Sequence, residues 1–240
     1  MPLSRLILLL LLTLTLPQAI AAGEPKNIDP LESINRPLFA LNDGLDMFVI
    51  RPLAIGYDFV LPNFAKRGMG NFFANMWDAN AAVNSVLQGR FQGAAQGAGR
   101  FLVNSTFGLL GFVDVATPMG IRPYRTDFGH TLAIWGVPSG PYIMVPFFGP
   151  RTFRSGTGTI FDSYVSVQAN TGSVAIRNTL WGLEVIDARS RYLRADELIS
   201  GDRYIFVRDA YLQQREIYIN DGVVIDTFSD YEEEEWDEDF

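Results

Sequence analysis

The chain has 240 residues, no cysteine, one histidine, and a formal net charge of −8 from 19 basic and 27 acidic residues. The missing cysteine excludes disulfides, a thiol nucleophile and cysteine-based metal sites. Nine of the acids fall in Asp226–Phe240, so the body of the chain is close to neutral and offers no electrostatic footprint for nucleic acid.

At the amino terminus, Arg5 precedes the apolar run Leu6–Leu16, followed by Pro17 and the small residues Ala19 and Ala21. The run is 11 residues long, whereas a helix that crosses a bilayer needs about 20. The pattern predicts a signal peptide over residues 1–21, hence an exported chain, and a short linker over 22–28. Asp29-Pro30-Leu31-Glu32 then predicts a helix start, with Asp29 as cap, proline at the first helical position and Glu32 completing the box. Pro37 leaves open one kinked helix or two short ones. Leu38, Leu41, Leu45 and Phe48 keep helical spacing, and Pro52 and Pro62 restart the chain.

The clearest helix spans about 63–87, with Met69, Phe72, Phe73, Met76, Val83 and Leu87 on one stripe and Gly89 at the C-cap. A glycine-rich helix follows, in which Gly93 and Gly97 would allow close approach of a neighbour. Residues 117–150 read as irregular, rich in Gly, Pro and aromatics, with no internal repeat and no alternating hairpin pattern. Helical periodicity returns over 173–193 and 203–219, ending at Asn220-Asp221-Gly222. An all-α domain over 29–222 is therefore expected, with an acidic, disordered tail over 223–240.

Enzymatic chemistry finds little footing. His130 would have to act alone as a base, there is no G-x-S-x-G elbow, and no Walker-type phosphate loop occurs. His130 with Asp127 is too few ligands for a metal. The most apolar stretch, Phe101–Ala116, is interrupted by Asn104, Ser105, Thr106 and Asp114. It reads either as a buried helix ending in a turn or as a hairpin dipping into one leaflet, its polar residues turned toward protein or water. Trp135, Tyr142, Phe147 and Phe148 lie among prolines, where they suit a membrane interface or a core equally. Tyr204, Arg208, Tyr211, Arg215 and Tyr218 share one face of the last helix. That face could hold phosphate, or its arginines could pair with nearby acids.

Taken in order, the segments resemble the MlaA/VacJ family. The resemblance is carried by Asp29-Pro30-Leu31-Glu32 with Asn35-Arg36, Val49-Ile50-Arg51-Pro52, Asn71-Phe72, Leu87-Gln88-Gly89, and Arg100-Phe101 with Asn104-Ser105-Thr106. It continues through Gly111-Phe112-Val113-Asp114-Val115-Ala116, Asp127-Phe128-Gly129 with Thr131-Leu132, Gly136-Val137, Gly140-Pro141-Tyr142, Pro146 and the stretch from Tyr204 to Tyr211.

The resemblance implies a ring-like helical domain seated in the outer membrane from its periplasmic side. Such a protein would remove mislocalised phospholipid from the outer leaflet through an amphipathic channel and pass it to a periplasmic carrier of the MlaC type, often beside a trimeric porin. No catalysis, cofactor or metal is implied. Asn104, Asp114, Arg125, Arg208, Tyr211 and Arg215 are the expected lumen or headgroup contacts. Phe101, Leu109, Leu110 and Phe112 are the expected membrane-facing residues. With no cysteine to carry a lipid, an unlipidated protein is expected. The rival reading is a non-conducting periplasmic protein that stabilises porins or the envelope.

Overall fold

The computed structural model describes residues 29–199 and 201–220. The expected signal peptide, linker and acidic tail lie outside the described residues. Helix α1 (Glu32–Leu45) passes through a π-helical turn at Asp46–Ile50 into α2 (Arg51–Val60), so the first segment is one unbroken helical run. Pro37 sits inside α1, and Pro52 closely follows the π-helical turn, inside the same run. Asp29 is not the cap that its position suggests. The N-cap is Leu31, and the buried Asp29 carboxylate instead accepts from the Asn35 amide at 2.8 Å and from the Tyr204 hydroxyl.

Helices α3 (Asn63–Leu87) and α4 (Phe91–Phe107) form an antiparallel pair joined at Gly89, whose φ of 70° suits glycine. Gly97 is where they meet most closely. A Cβ there would lie 2.7 Å from the Asp78 carbonyl oxygen and 3.0 Å from the Ala82 nitrogen. The apolar stripe expected on α3 is not the side it buries. Phe73 is buried, but Val83 is exposed, and the fully buried positions are mostly polar: Asn75, Asp78, Asn80, Asn84 and Ser85.

The 117–150 region is more ordered than its composition suggests. It holds a short helix α5 (Phe128–Ile134), capped by Asp127, and the strand β1 (Tyr142–Val145), which pairs antiparallel with β2 (Gly149–Thr152). The all-α expectation therefore holds for the architecture and misses one small hairpin. Neither strand alternates apolar with polar residue types, although β1 buries every second residue, Tyr142 and Met144, and β2 contains Pro150, tolerable on an edge. The pairing is supported from outside. Asn35 and Asn42, two turns apart on α1, bond the β1 backbone like a third strand: Asn35 to the Tyr142 carbonyl and Met144 N–H, Asn42 to the Val145 carbonyl and Phe147 N–H.

Helix α6 (Phe153–Val165) was not foreshadowed, because its Gly and Thr residues have poor helix propensity. Two things set it. Thr152 and Ser155 form a reciprocal capping box, and Gly158 packs against the backbone of Gly129 in α5. Helix α7 (Val174–Arg191), a 3₁₀ turn (Leu193–Leu198) and α8 (Arg203–Ile219) complete the described residues, α7 and α8 as their periodicity predicts. Asp202 caps α8 through the Tyr204 N–H at 2.9 Å.

The distribution of side chains is inverted. Among the described residues nine hydrophobic residues are buried, against sixteen polar or charged ones, while thirty-four large hydrophobics are exposed. Phe59 is 89% exposed, Phe48 77%, Leu109 75%, and Phe91 and Phe107 73% each. A surface this apolar belongs against lipid or a partner rather than water. No helix among the described residues is long and apolar enough to cross a membrane.

Candidate functional site

Asn71, Trp77 and the buried Asp78 of α3, with the buried Arg100 and Asn104 of α4, form one wall of a cavity of about 550 Å³. The remaining walls come from α7, α8 and the segment between α4 and α5, so helices distant in sequence close around one space. Its volume lies within the roughly 300–1,000 Å³ of small-molecule clefts.

The wall is held by Arg100, which is 5% exposed. Its guanidinium donates to Asp78 at 2.9 Å, Asp114 at 3.2 Å, Thr117 at 3.0 Å and the Ile121 carbonyl at 2.8 Å. Burial pushes the Asp78 carboxyl above its ordinary value, and the neighbouring Arg100 offsets only part of that rise. For Asp114 burial works the same way, but donors from Thr117 and Arg100 outweigh it and hold the carboxyl low. Asn104 folds the next turn around itself. Its side-chain oxygen accepts from the Val115 and Ala116 N–H groups at 2.8 and 2.9 Å, and its amide donates to Asp114 at 3.2 Å.

On the opposite side, Arg215 of α8 forms a bidentate pair with Asp127 at 2.5 and 3.0 Å. Burial opposes the Arg215 charge, and the Asp127 bonds overcome it, leaving the group more firmly protonated than usual. Tyr218 stacks near that guanidinium, 5.0 Å from ring centre to Arg215, and burial raises its phenol. Tyr211 shares a 2.7 Å hydrogen bond with Ser155. His130 is fully buried beside Thr126, with 3.1 Å between Nδ1 and the hydroxyl, within the polar packing of α5.

Asn104, Asp114, Arg125, Tyr211 and Arg215 all line this cavity. Arg208 does not. It lies 3.9 Å from Asp29 and bonds Asp209 at 2.8 Å, and so braces the amino-terminal end of the described chain. The five-residue face on α8 is thus split by the neighbours it meets: its first part serves packing and its second part the cavity. Of the expected membrane-facing residues, Leu109 and Leu110 are exposed, at 75% and 68%. Phe101 and Phe112 are half-buried, because the Phe112 ring covers the space over Gly68 on α3 and α4 turns Leu102 outward in place of Phe101. The turn at Leu109-Leu110-Gly111 has φ values of 53°, 59° and 94°, so two leucines adopt the left-handed conformation that presents them outward.

Asp78, Asp127, Glu184 and Tyr218 also line the cavity and are absent from the expected set. One signal could have found the first of them. Asn71, Asn75 and Asp78 fall at steps of four and three on α3, so they share one face of it. Burial of the polar stripe rather than the apolar one marks the same inversion.

The family described as MlaA lipoprotein matches residues 27–217. The chain belongs to the MlaA family. It is 36% identical over 202 residues to the intermembrane phospholipid transport system lipoprotein MlaA of Escherichia coli K12, covering 81% of this chain and 79% of that one. The Haemophilus influenzae protein of the same name is 31% identical over 209 residues, covering 83% and 82%. A Rickettsia prowazekii protein is 34% identical over 195 residues, covering 78% and 76%. A solved chain described under the structural basis for maintenance of bacterial outer membrane lipid asymmetry superposes with a TM-score of 0.71 at 33% identity. It covers 80% of this chain and 99% of its own.

These relatives correct one expectation. The family and its Escherichia coli, Shigella flexneri and Haemophilus influenzae members are described as lipoproteins, which overturns the expected unlipidated protein.

Proposed function

We propose that the chain acts in intermembrane phospholipid transport, removing mislocalised phospholipid from the outer leaflet of the outer membrane and so maintaining lipid asymmetry. The observation that carries this reading is the inverted distribution: an apolar exterior around a cavity of about 550 Å³ lined by charged and amide side chains. A headgroup entering hydrocarbon must shed water, at a cost of several kcal/mol for a charged group. The polar cavity replaces that water, while the apolar exterior leaves the acyl chains in contact with lipid. The headgroup contacts are Asn104, Asp114, Arg125, Tyr211 and Arg215, and Leu109 and Leu110 face the membrane. The lipid is then handed to a soluble periplasmic carrier of the MlaC type, with a trimeric porin as the membrane neighbour. The reading needs no catalytic step.

The test is to purify the protein from membranes in mild detergent and measure bound phospholipid by mass spectrometry, beside an Ala188→Trp variant that fills the cavity from α7. Phospholipid on the wild type and a clear loss on the variant are expected. A membrane-extracted wild type free of phospholipid would leave the non-conducting envelope protein as the better reading.

A further inference from the structure

The acids and arginines lining the cavity balance at four each. Most are already paired within the protein: Arg100 with Asp78 and Asp114, Arg215 with Asp127, and Arg191 with Asp187 beside the lining. Two charges remain. Arg125 makes no ion pair among the described residues and stands exposed on the segment before α5. Glu184 on α7 makes none either. Its carboxylate meets neutral donors, the Trp77 indole at 2.7 Å and the Gln168 amide at 3.0 Å. These bonds orient the carboxylate without cancelling its charge.

We infer that the cavity selects zwitterionic phospholipid headgroups, the phosphate drawn to Arg125 and the ammonium to Glu184. The inference rests on the transport reading above and adds the headgroup class. A guanidinium matches phosphate oxygens in a planar, bidentate way, and a compact ammonium suits a carboxylate already fixed by neutral donors. An anionic headgroup such as phosphoglycerol would satisfy Arg125 and leave Glu184 as a second anion without a counter-charge in a partly desolvated space. A phosphoethanolamine headgroup offers a counter-charge to both residues and adds no net charge to the cavity.

The test uses the full chain in mixed micelles holding equimolar phosphatidylethanolamine and phosphatidylglycerol, with retained lipid counted by native mass spectrometry. The wild type is expected to retain phosphatidylethanolamine several-fold over phosphatidylglycerol. Glu184→Gln keeps an oxygen for the Trp77 indole and removes the charge, so the ratio should fall toward one. Arg125→Gln should lower retention of both lipids, since both carry the phosphate. Soluble glycerophosphoethanolamine, which has the headgroup and no acyl chains, should not be retained; its retention on a par with lipid would overturn a lipid occupant. Equal retention of the two lipids by the wild type, or an unchanged ratio in Glu184→Gln, would overturn the selection and leave transport standing. A wild type that retains neither lipid would remove both readings together.

Discussion

Helices α2 and α3 follow one another in the chain and bury opposite kinds of residue. In α2 the buried position is Ala54, while Leu53, Ile55, Phe59 and Val60 stand exposed. In α3 the buried positions include Asn75, Asp78, Asn80 and Asn84, each with a hydrogen-bonding or ionic partner. The difference teaches that apolar character does not mark the inside of this protein. Each helix turns its polar side toward the cavity or the neighbouring helices, and the apolar side is left for the surroundings. In water such an arrangement would be unfavourable by roughly 25 cal/mol for each Å² of apolar surface left exposed.

The sharpest way to break the α3 side of this comparison is Arg100→Ala. It leaves Asp78 buried without its counter-charge, and a loss of about 3–5 kcal/mol is expected from removing one partner of a buried pair. Thermal unfolding in detergent measures it, and unchanged melting would deny Arg100 its role as a strut. Gly97→Val comes next, because its Cβ meets the α3 backbone 2.7 Å away at the Asp78 carbonyl. Overpacking of this kind costs about 1–3 kcal/mol, and the same melting experiment reads it.

Asp162 sharpens the comparison through pH. It accepts from Asn80 at 3.0 Å, Asn84 at 2.8 Å and the Phe128 N–H, and burial raises its carboxyl above the ordinary 3.8. The folded state therefore holds this proton to higher pH than the unfolded chain does. Its contribution is present below 3.8 and is lost as pH rises through the raised value. Asp162→Asn keeps an acceptor and cannot ionise, so its stability should fall less than that of the wild type as pH climbs from 3.8. Parallel unfolding curves for the two proteins across that range would show that Asp162 does not titrate there.

The smallest effect on the fold is expected on the α2 side. Phe59→Ser changes a residue that is 89% exposed, so stability in detergent should move by no more than about 0.5 kcal/mol. Flotation with liposomes should nonetheless drop, and undiminished flotation would remove Phe59 from the lipid-facing surface.

Much of this was legible in the sequence where local signals act alone. The span of α3, the glycine at its end and the limits of α8 follow from periodicity and capping, as does the close approach at Gly97. Five of the six expected cavity residues do line one cavity, although a role for them in holding lipid is still the proposal made above. What escaped detection was set by tertiary contacts. The hairpin depends on two asparagines of α1 more than a hundred residues away, and α6 depends on a capping box and a glycine contact. Arg208 could not be told from Arg215 by spacing, because the partner across the gap decides which of them faces the cavity. The apolar stripe of α3 misled for a related reason: periodicity reports that a helix has two faces and is silent on which solvent each one meets.

Gly97 also bears on permeability. Where α3 and α4 cross at that residue, backbone lies against backbone with no room for even a methyl group between them. Ions or water could leave a polar cavity sideways through any loose seam in its wall and so short-circuit the barrier that the membrane provides. The glycine contact closes this seam with main-chain atoms, which cannot swing aside as a side chain can.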